Sequence, residues 1–345
     1  NVNNVYGGSN TKGDIRGGSS ITNIDKTGSQ GTNQPSCDNL NVNNIYGGGK
    51  DAEMAGGAEI VLGCMPDDWI SEIYAGAENA DVGNDVSLTL TSGKFGRVFG
   101  GDKSGGKLDG QIEVNIEESE TCGTPIIIGE LYGGGNLAPY SIYGYNDDGT
   151  PRTEAQPNVT PHNSPRVNVR RFTSIGNIFG GGLGANAVMV GSPTVNINEV
   201  TFNKSAEGYQ SNAYNPASDN AKPSWIGDGA DQVKLWPHTD GQMGVIGNVF
   251  GGGNAAQVIG DTYVNIGTES AVKFESIIDN TIQGDDKRVS MPVVGADIRG
   301  NVFGGGNNAA VTGDSHVTIG KEEVVTQNPA PQPNPAPAPN PAPQP

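Results

Sequence analysis

Val249-Phe250-Gly251-Gly252-Gly253-Asn254, then Gly260-Asp261-Thr262-Tyr263-Val264-Asn265-Ile266, is repeated almost word for word at Val302-Phe303-Gly304-Gly305-Gly306-Asn307 and Gly313-Asp314-Ser315-His316-Val317-Thr318-Ile319. In both copies 14 residues separate the ring from the first aliphatic of the Val-x-Ile phrase. Working outward, the first phrase recurs at Val5-Tyr6, Ile45-Tyr46, Ile73-Tyr74, Val98-Phe99, Leu131-Tyr132 and Ile178-Phe179, each followed by small residues and mostly by glycine. The second recurs as Leu88-Thr89-Leu90, Val114-Asn115-Ile116, Val167-Asn168-Val169 and Val195-Asn196-Ile197. Self-similarity that fills most of a chain is the mark of a repeat architecture.

Apolar and polar residues alternating over three to five positions, bounded by Gly and Asp, specify short half-buried strands. One such unit cannot bury its inner face alone, but stacked units can. The expected fold is therefore all-β: a parallel β-solenoid (β-helix) of about eight irregular rungs. The glycines and asparagines after the rings (Gly133, Gly134, Gly135, Asn136; Gly251, Gly252, Gly253, Asn254; Gly304, Gly305, Gly306, Asn307) fall at its corners. There the backbone must take positive φ or pass close to the coil below. By the same period of two, Thr89, Asn115, Asn168, Asn196, Asn265 and Thr318 should face outward and stack as one hydrogen-bonded polar ladder.

Successive anchors are separated by 40, 28, 25, 33, 47, 71 and 53 residues. The surplus over the shortest spacing reads as insertions at 137–165, 199–244 and 268–297 in a repeat domain spanning 1–325. The last two follow the Val-x-Ile phrase and should leave one corner; the first precedes it and should leave another. Residues 326–345 form a Pro-rich tail, with proline at every second position from Pro329 to Pro345, a pattern that favours a polyproline II spacer.

The composition agrees with a thin core. Of 345 residues 54 are Gly, 34% are hydrophobic and 6% aromatic, which disfavours a compact enzyme domain. A net charge of −18 argues against nucleic acid and anionic lipid as partners, and no apolar run is long enough for membrane insertion by a helix. The chain opens on Asn1, and reads as a processed or excerpted piece. Cys37, Cys64 and Cys122 leave room for one bridge, Cys37 to Cys64 being one pairing, and form no disulfide framework.

Candidate sites are few. Tyr209, Tyr214, Trp225 and Trp236 concentrate aromatic faces in the largest insertion, where they either stack on glycans or form the insertion's own small core. Asp228, Asp231, Asp285 and Asp286 are candidate oxygen ligands for Ca²⁺, the one cofactor considered, although none matches a known calcium loop; solvated loop charge is their plainer reading. His162, His238 and His316 lack metal or triad spacing, and His316 occupies the surface slot of Tyr263 one repeat earlier. Arg166, Arg170 and Arg171 are the single basic cluster. The glycine phrases lack the Lys-Ser/Thr of a phosphate loop.

The Val-Phe-Gly-Gly-Gly-Asn phrase followed by Gly-Asp-x-x-Val-x-Ile resembles the glycine-rich repeats of large bacterial cell-surface and adhesin-like proteins. That resemblance covers roughly residues 1–325 and implies a β-helix with an extracellular, cell-surface location. It leads to the expectation of a non-enzymatic structural or adhesive subunit of a surface fibre, with other surface proteins or glycans as further partners. Asn1-Val2-Asn3-Asn4-Val5-Tyr6 is nearly repeated at Asn41-Val42-Asn43-Asn44-Ile45-Tyr46, and neither end offers a capping helix, so head-to-tail self-assembly is expected. The alternatives are a carbohydrate-active β-helix, lyase or hydrolase, and a glycan-binding module.

Overall fold

The computed structural model describes residues 1–13, 15, 18–25, 42–122, 124–157, 160–163, 165–201, 214–218, 222–227, 232–238 and 243–320. Tyr209, Asp228, Asp231, Cys37 and the Pro-rich tail lie outside them. The described residues form strands and no helix, hence no helix able to cross a membrane.

The chain alternates between two long parallel sheets. Ring-bearing phrases supply the first, from Val2–Tyr6 through Val42–Tyr46, Trp69–Tyr74, Gly93–Phe99, Ile126–Tyr132, Ser174–Phe179 and Val245–Phe250 to Asp297–Ile298 with Val302–Phe303. The second runs through Ser20–Ile24, Ala58–Leu62, Val86–Leu90, Ile112–Glu117, Arg166–Arg171, Thr194–Ile197, Thr262–Ile266 and Ser315–Ile319. Each repeat thus adds one strand to each sheet, an arrangement consistent with a parallel β-solenoid. A short third sheet of Tyr140–Ser141, Met189–Val190 and Val258–Ile259 follows the turns of later repeats.

Pairing is in register by residue type. Val114, Val167, Val195 and Val264 are successive partners, as are Ile116, Val169, Ile197 and Ile266. These aliphatics join the anchor aliphatics Ile45, Ile73, Val98, Leu131, Ile178 and Val249 in one continuous core. The Asn between them forms the expected ladder: Asn168 donates to Asn115, Asn196 to Asn168 and Asn265 to Asn196, each at 3.0 Å. Thr89 and Thr318 extend the row by strand pairing. Asn115 and Asn168 are nonetheless buried, because Arg170 lies over the row and reaches Asn115 Oδ1 at 3.1 Å.

At the corners close approach, not positive φ, is the one of the two expected reasons that applies to the turn glycines, and the disulfide pairing needs correction. The turn glycines 133–135, 251–253 and 304–306 do not take positive φ; that conformation falls one residue past the Asn, at Leu137 (61°), Ala255 (53°) and Asn308 (52°). Glycine is required instead by close approach. A methyl group on Gly133 would overlap the carbonyl oxygen of Gly180, one on Gly180 that of Gly251, and one on Gly251 that of Gly304. The disulfide joins Cys64 to Cys122, 58 residues apart, rather than Cys37 to Cys64. It spans the corners that follow Ala58–Leu62 and Ile112–Glu117, which are separated in the sheet by Val86–Leu90.

The two later insertions leave one corner and diverge. Within 268–297, Ala271–Ile278 and Arg288–Pro292 pair as an antiparallel hairpin. It runs back along the second sheet: the backbone N–H groups of Glu275 and Ser276 donate to the buried Glu117 carboxylate at 3.0 and 2.8 Å. Replacing Gly133 by Ala should cost about 2 kcal/mol or more in urea unfolding, because backbone must shift. Gly305→Ala, with nothing near its added methyl, should stay within about 0.5 kcal/mol.

Candidate functional site

Three features outside the main core bear on function: a column of aromatic rings, the insertion packed on the first sheet, and an acidic cleft. The column follows from strand alternation, since a residue next to a core aliphatic must face the other way. Tyr6, Tyr46, Tyr74, Phe99, Tyr132, Phe179, Phe250 and Phe303 stack with centroids 4.7–5.2 Å apart and planes within 12° of parallel. The five from Tyr46 to Phe179 form a buried cluster separate from the main core.

Polar groups two repeats further on serve the hydroxyls. Where the ring two repeats earlier is a tyrosine, the residue four positions after a ring reaches its hydroxyl, whereas Asn307, two repeats past Phe179, donates to Asn254 at 3.1 Å. Asn136 donates to Tyr74 Oη at 3.1 Å, Asn254 to Tyr132 Oη at 3.1 Å, and Lys103 to Tyr46 Oη at 2.9 Å, while Tyr6 donates to Glu78. The position corresponding to Phe99, which has no hydroxyl, is the apolar Leu183, packed against the ring cluster. Burial raises the Tyr74 and Tyr132 hydroxyls well above the ordinary tyrosine range, so they remain protonated donors. The Tyr74 hydroxyl donates a hydrogen bond to Glu72 Oε2 at 2.9 Å. Sequence reading recognised the ring positions but not their stacking; the adjacent aliphatic–aromatic pair was the available signal.

The insertion packs over a stripe of small residues on the outer face of the first sheet. Atoms of Trp225 and Pro223 lie over Gly96, Ile226 over Gly129, Val233 over Gly176 and Trp236 beside Gly247. Tyr214, Ile226 and Leu235 form a buried cluster with Trp69 and Ile127, with Trp225 at its rim. Of the described aromatics of the insertion, Tyr214 and Trp225 therefore belong to a small core against the sheet, and Trp236 lies outside that cluster. Arg97 covers Trp225 at 4.1 Å from the ring centroid, and Lys234 covers Trp236 at 3.7 Å, so each indole has one face occupied. Tyr214 exchanges both backbone hydrogen bonds with His238.

Of the candidate calcium ligands inside the described residues, Asp286 is held by Lys273 at 2.6 Å and by Arg288 at 2.9 Å, which lower its carboxyl far below the usual range. Asp285 is its neighbour in the hairpin turn. No group of three or more His, Cys, Asp or Glu side chains suited to a metal occurs among the described residues. Two members of the basic cluster are also engaged, Arg170 by Glu117 and Arg171 by Glu120. His162 meets Asp109 at 3.0 Å, and His316 stacks on Tyr263 at 4.6 Å.

The acidic cleft, about 790 Å³, is lined by successive turns that contribute Asp51, Glu53, Asp81, Lys107 and Asp109, with Asp147 from the first insertion. Two buried carboxyls were not anticipated from sequence. Asp102 stands where most repeats have the third turn glycine; its Oδ1 accepts from Ala77 N–H at 2.7 Å and its Oδ2 has no hydrogen-bond partner. Desolvation, reinforced by Asp81, raises it to about 8. Glu199 joins both later insertions at their base: its backbone pairs with Gly295 and its Oε2 accepts from Gly244 N–H at 3.0 Å. Burial raises this carboxyl as well.

Leu183→Asn should destabilise the protein by about 1–3 kcal/mol, and adding Phe99→Tyr should recover much of that loss in a double-mutant cycle. Because folding raises the Asp102 pKa, the native state holds a proton that the unfolded chain releases. Its contribution to stability falls as pH rises from about 4 to about 8 and is constant above. Asp102→Asn should therefore raise the melting temperature at about pH 8.5 more than at about pH 4.5. Comparison with known proteins gives no family model, no curated protein and no solved structure that matches this chain.

Proposed function

We propose that the two long sheets are faces of one parallel β-solenoid of about eight rungs, and that the molecule serves as a structural, adhesive element of an extracellular fibre on a bacterial surface. The observation that carries this reading is the unbroken ring column, from Tyr6 to Phe303, along the whole described stack. A chain that spends its repeats on columns of like residues builds a rod, and a rod serves to span and display. The Cys64–Cys122 bridge supports an oxidising compartment, and the hairpin against Glu117 adds a second tie between repeats. The net charge of −18 supports a solvated, well-separated fibre surface.

Glycan binding has one observation in its favour, the 790 Å³ cleft with carboxylates from adjacent repeats and Tyr145 at its wall. Incubation with a polysaccharide panel tests it: retention on a column would support a binding module, and new reducing ends or unsaturated products an enzyme.

Purified protein should appear in negative stain as narrow rods that join end to end as concentration rises, with an axial diffraction spacing of about 4.8 Å. Compact particles without that spacing would overturn the rod reading. Rods that remain monomeric at high concentration would overturn the fibre.

A further inference from the structure

The Cys64–Cys122 bridge lies beside open space. Both cysteines line a groove of about 440 Å³ at the corners of the second sheet. They do so unequally, since Cys64 is half-buried whereas Cys122 is only 6% exposed. Thr91, from the repeat between them, lines the same groove together with Ser119 and Thr121. The Thr91 hydroxyl donates to the Leu62 carbonyl at 2.8 Å. Ser119 and Thr121 share one hydrogen bond at 3.0 Å, which leaves the second of their two hydroxyl protons available to a new acceptor.

The facing wall belongs to the hairpin of 271–292. Successive N–H groups of a regular strand point to opposite sides, yet those of Glu275 and Ser276 both reach the Glu117 carboxylate. The hairpin register shifts over the same stretch, between Lys273 and Ile278, and a strand so interrupted bends. Its inward side passes from Val272 and Phe274, both buried, to Ile277, which with Ser276 lines the groove. The hairpin thus narrows the approach to the bridge and leaves room for a small molecule. Asp25 is the ionisable side chain among the described lining residues, and the chain carries a net charge of −18, so an anion is repelled there.

We infer that Cys64 is a thiol-exchange site for small uncharged or cationic thiols. The thiolate of the incoming molecule attacks Cys64 Sγ along the S–S axis. A new S–S bond forms as the Cys64–Cys122 bond breaks, the bonding pair leaves on Cys122 Sγ, and that thiolate takes a proton from water. One thiol and one disulfide become one mixed disulfide and one thiol, so no oxidant or reductant is consumed. The Ser119 and Thr121 hydroxyls offer a hydrogen bond to the departing sulfur. Exchange opens the covalent loop from 64 to 122 while strand pairing and the hairpin's hold on Glu117 persist.

The test uses the full chain with Cys37→Ser, folded, exposed to cysteamine, quenched with an alkylating reagent and mapped by peptide mass spectrometry. The cysteamine adduct should sit on Cys64 and the alkyl group on Cys122, in about tenfold excess over the reverse assignment. The rate should stay flat in urea below the unfolding transition, as a reaction of the native state does. At equal thiolate concentration cysteamine should outpace mercaptoethanesulfonate about threefold at low salt, a difference that shrinks at high salt. Ile277→Trp, which fills the groove, should slow exchange about tenfold. Adducts divided equally between the two cysteines, or a rate that climbs with urea as global unfolding does, would overturn the proposal. Equal rates for the two thiols would overturn the charge preference, and an unchanged rate in a folded Ile277→Trp chain would overturn the hairpin's part. The adduct map and the urea dependence are read without the Trp variant, and none of these measurements depends on filament formation.

Discussion

Strand spacing is the constraint on which everything else depends. Parallel strands stand about 4.8 Å apart, so in a stack of in-register repeats every side chain meets its counterpart at roughly that distance. Ring centroids at 4.7–5.2 Å are that spacing written in aromatic carbon. A column can therefore hold only groups that tolerate their own kind: aliphatics by dispersion, rings by stacking, and amides because each donates to one neighbour and accepts from the other. In the strands of the two long sheets, where charges stand in successive repeats of one column, their signs alternate. The column through Asn44 continues as Glu72, Arg97, Glu130 and Asn177, and Arg97 reaches Glu130 at 3.1 Å and Glu72 at 3.6 Å.

The same constraint explains the glycine content. Where the chain leaves the ring-bearing strand, the backbone of one repeat passes so close to the next that a β-carbon has no room. Such contact requires a residue without a side chain at ordinary backbone angles, a different demand from positive φ. Asp102 and Ala77 show what happens when the rule is relaxed: an acid fills one third-glycine position and reaches the amide of the other. The cost is a carboxyl held neutral by its surroundings.

Much of the repeat organisation was legible in the sequence, since the ring phrase and the Val-x-Ile phrase mark strands of the two parallel sheets directly. His316 and the Asn ladder also follow from counting by two. The sites were less legible, for a physical reason: they depend on contacts between repeats of unequal length. Nothing local in Leu183 reveals that it answers Phe99, nor in Glu199 that it will hold Gly244. The pairing of Cys64 with Cys122 likewise depends on which corners stack, not on separation along the chain. Trp225 and Trp236 were recognisable as an aromatic concentration, but the small-residue stripe that receives them is assembled from Gly96, Gly129, Gly176 and Gly247, each in a different repeat.

The position of the disulfide has a mechanical meaning. Tension along a stack of this kind would peel strands one at a time, and each released repeat would lengthen the chain. The 58-residue separation of Cys64 and Cys122 would add about 200 Å if fully drawn out, but the bridge keeps that length out of the load path. Oxidation state thus sets how far a pulled molecule extends before its covalent chain is taut, which makes the cysteine pair a limit on stretch.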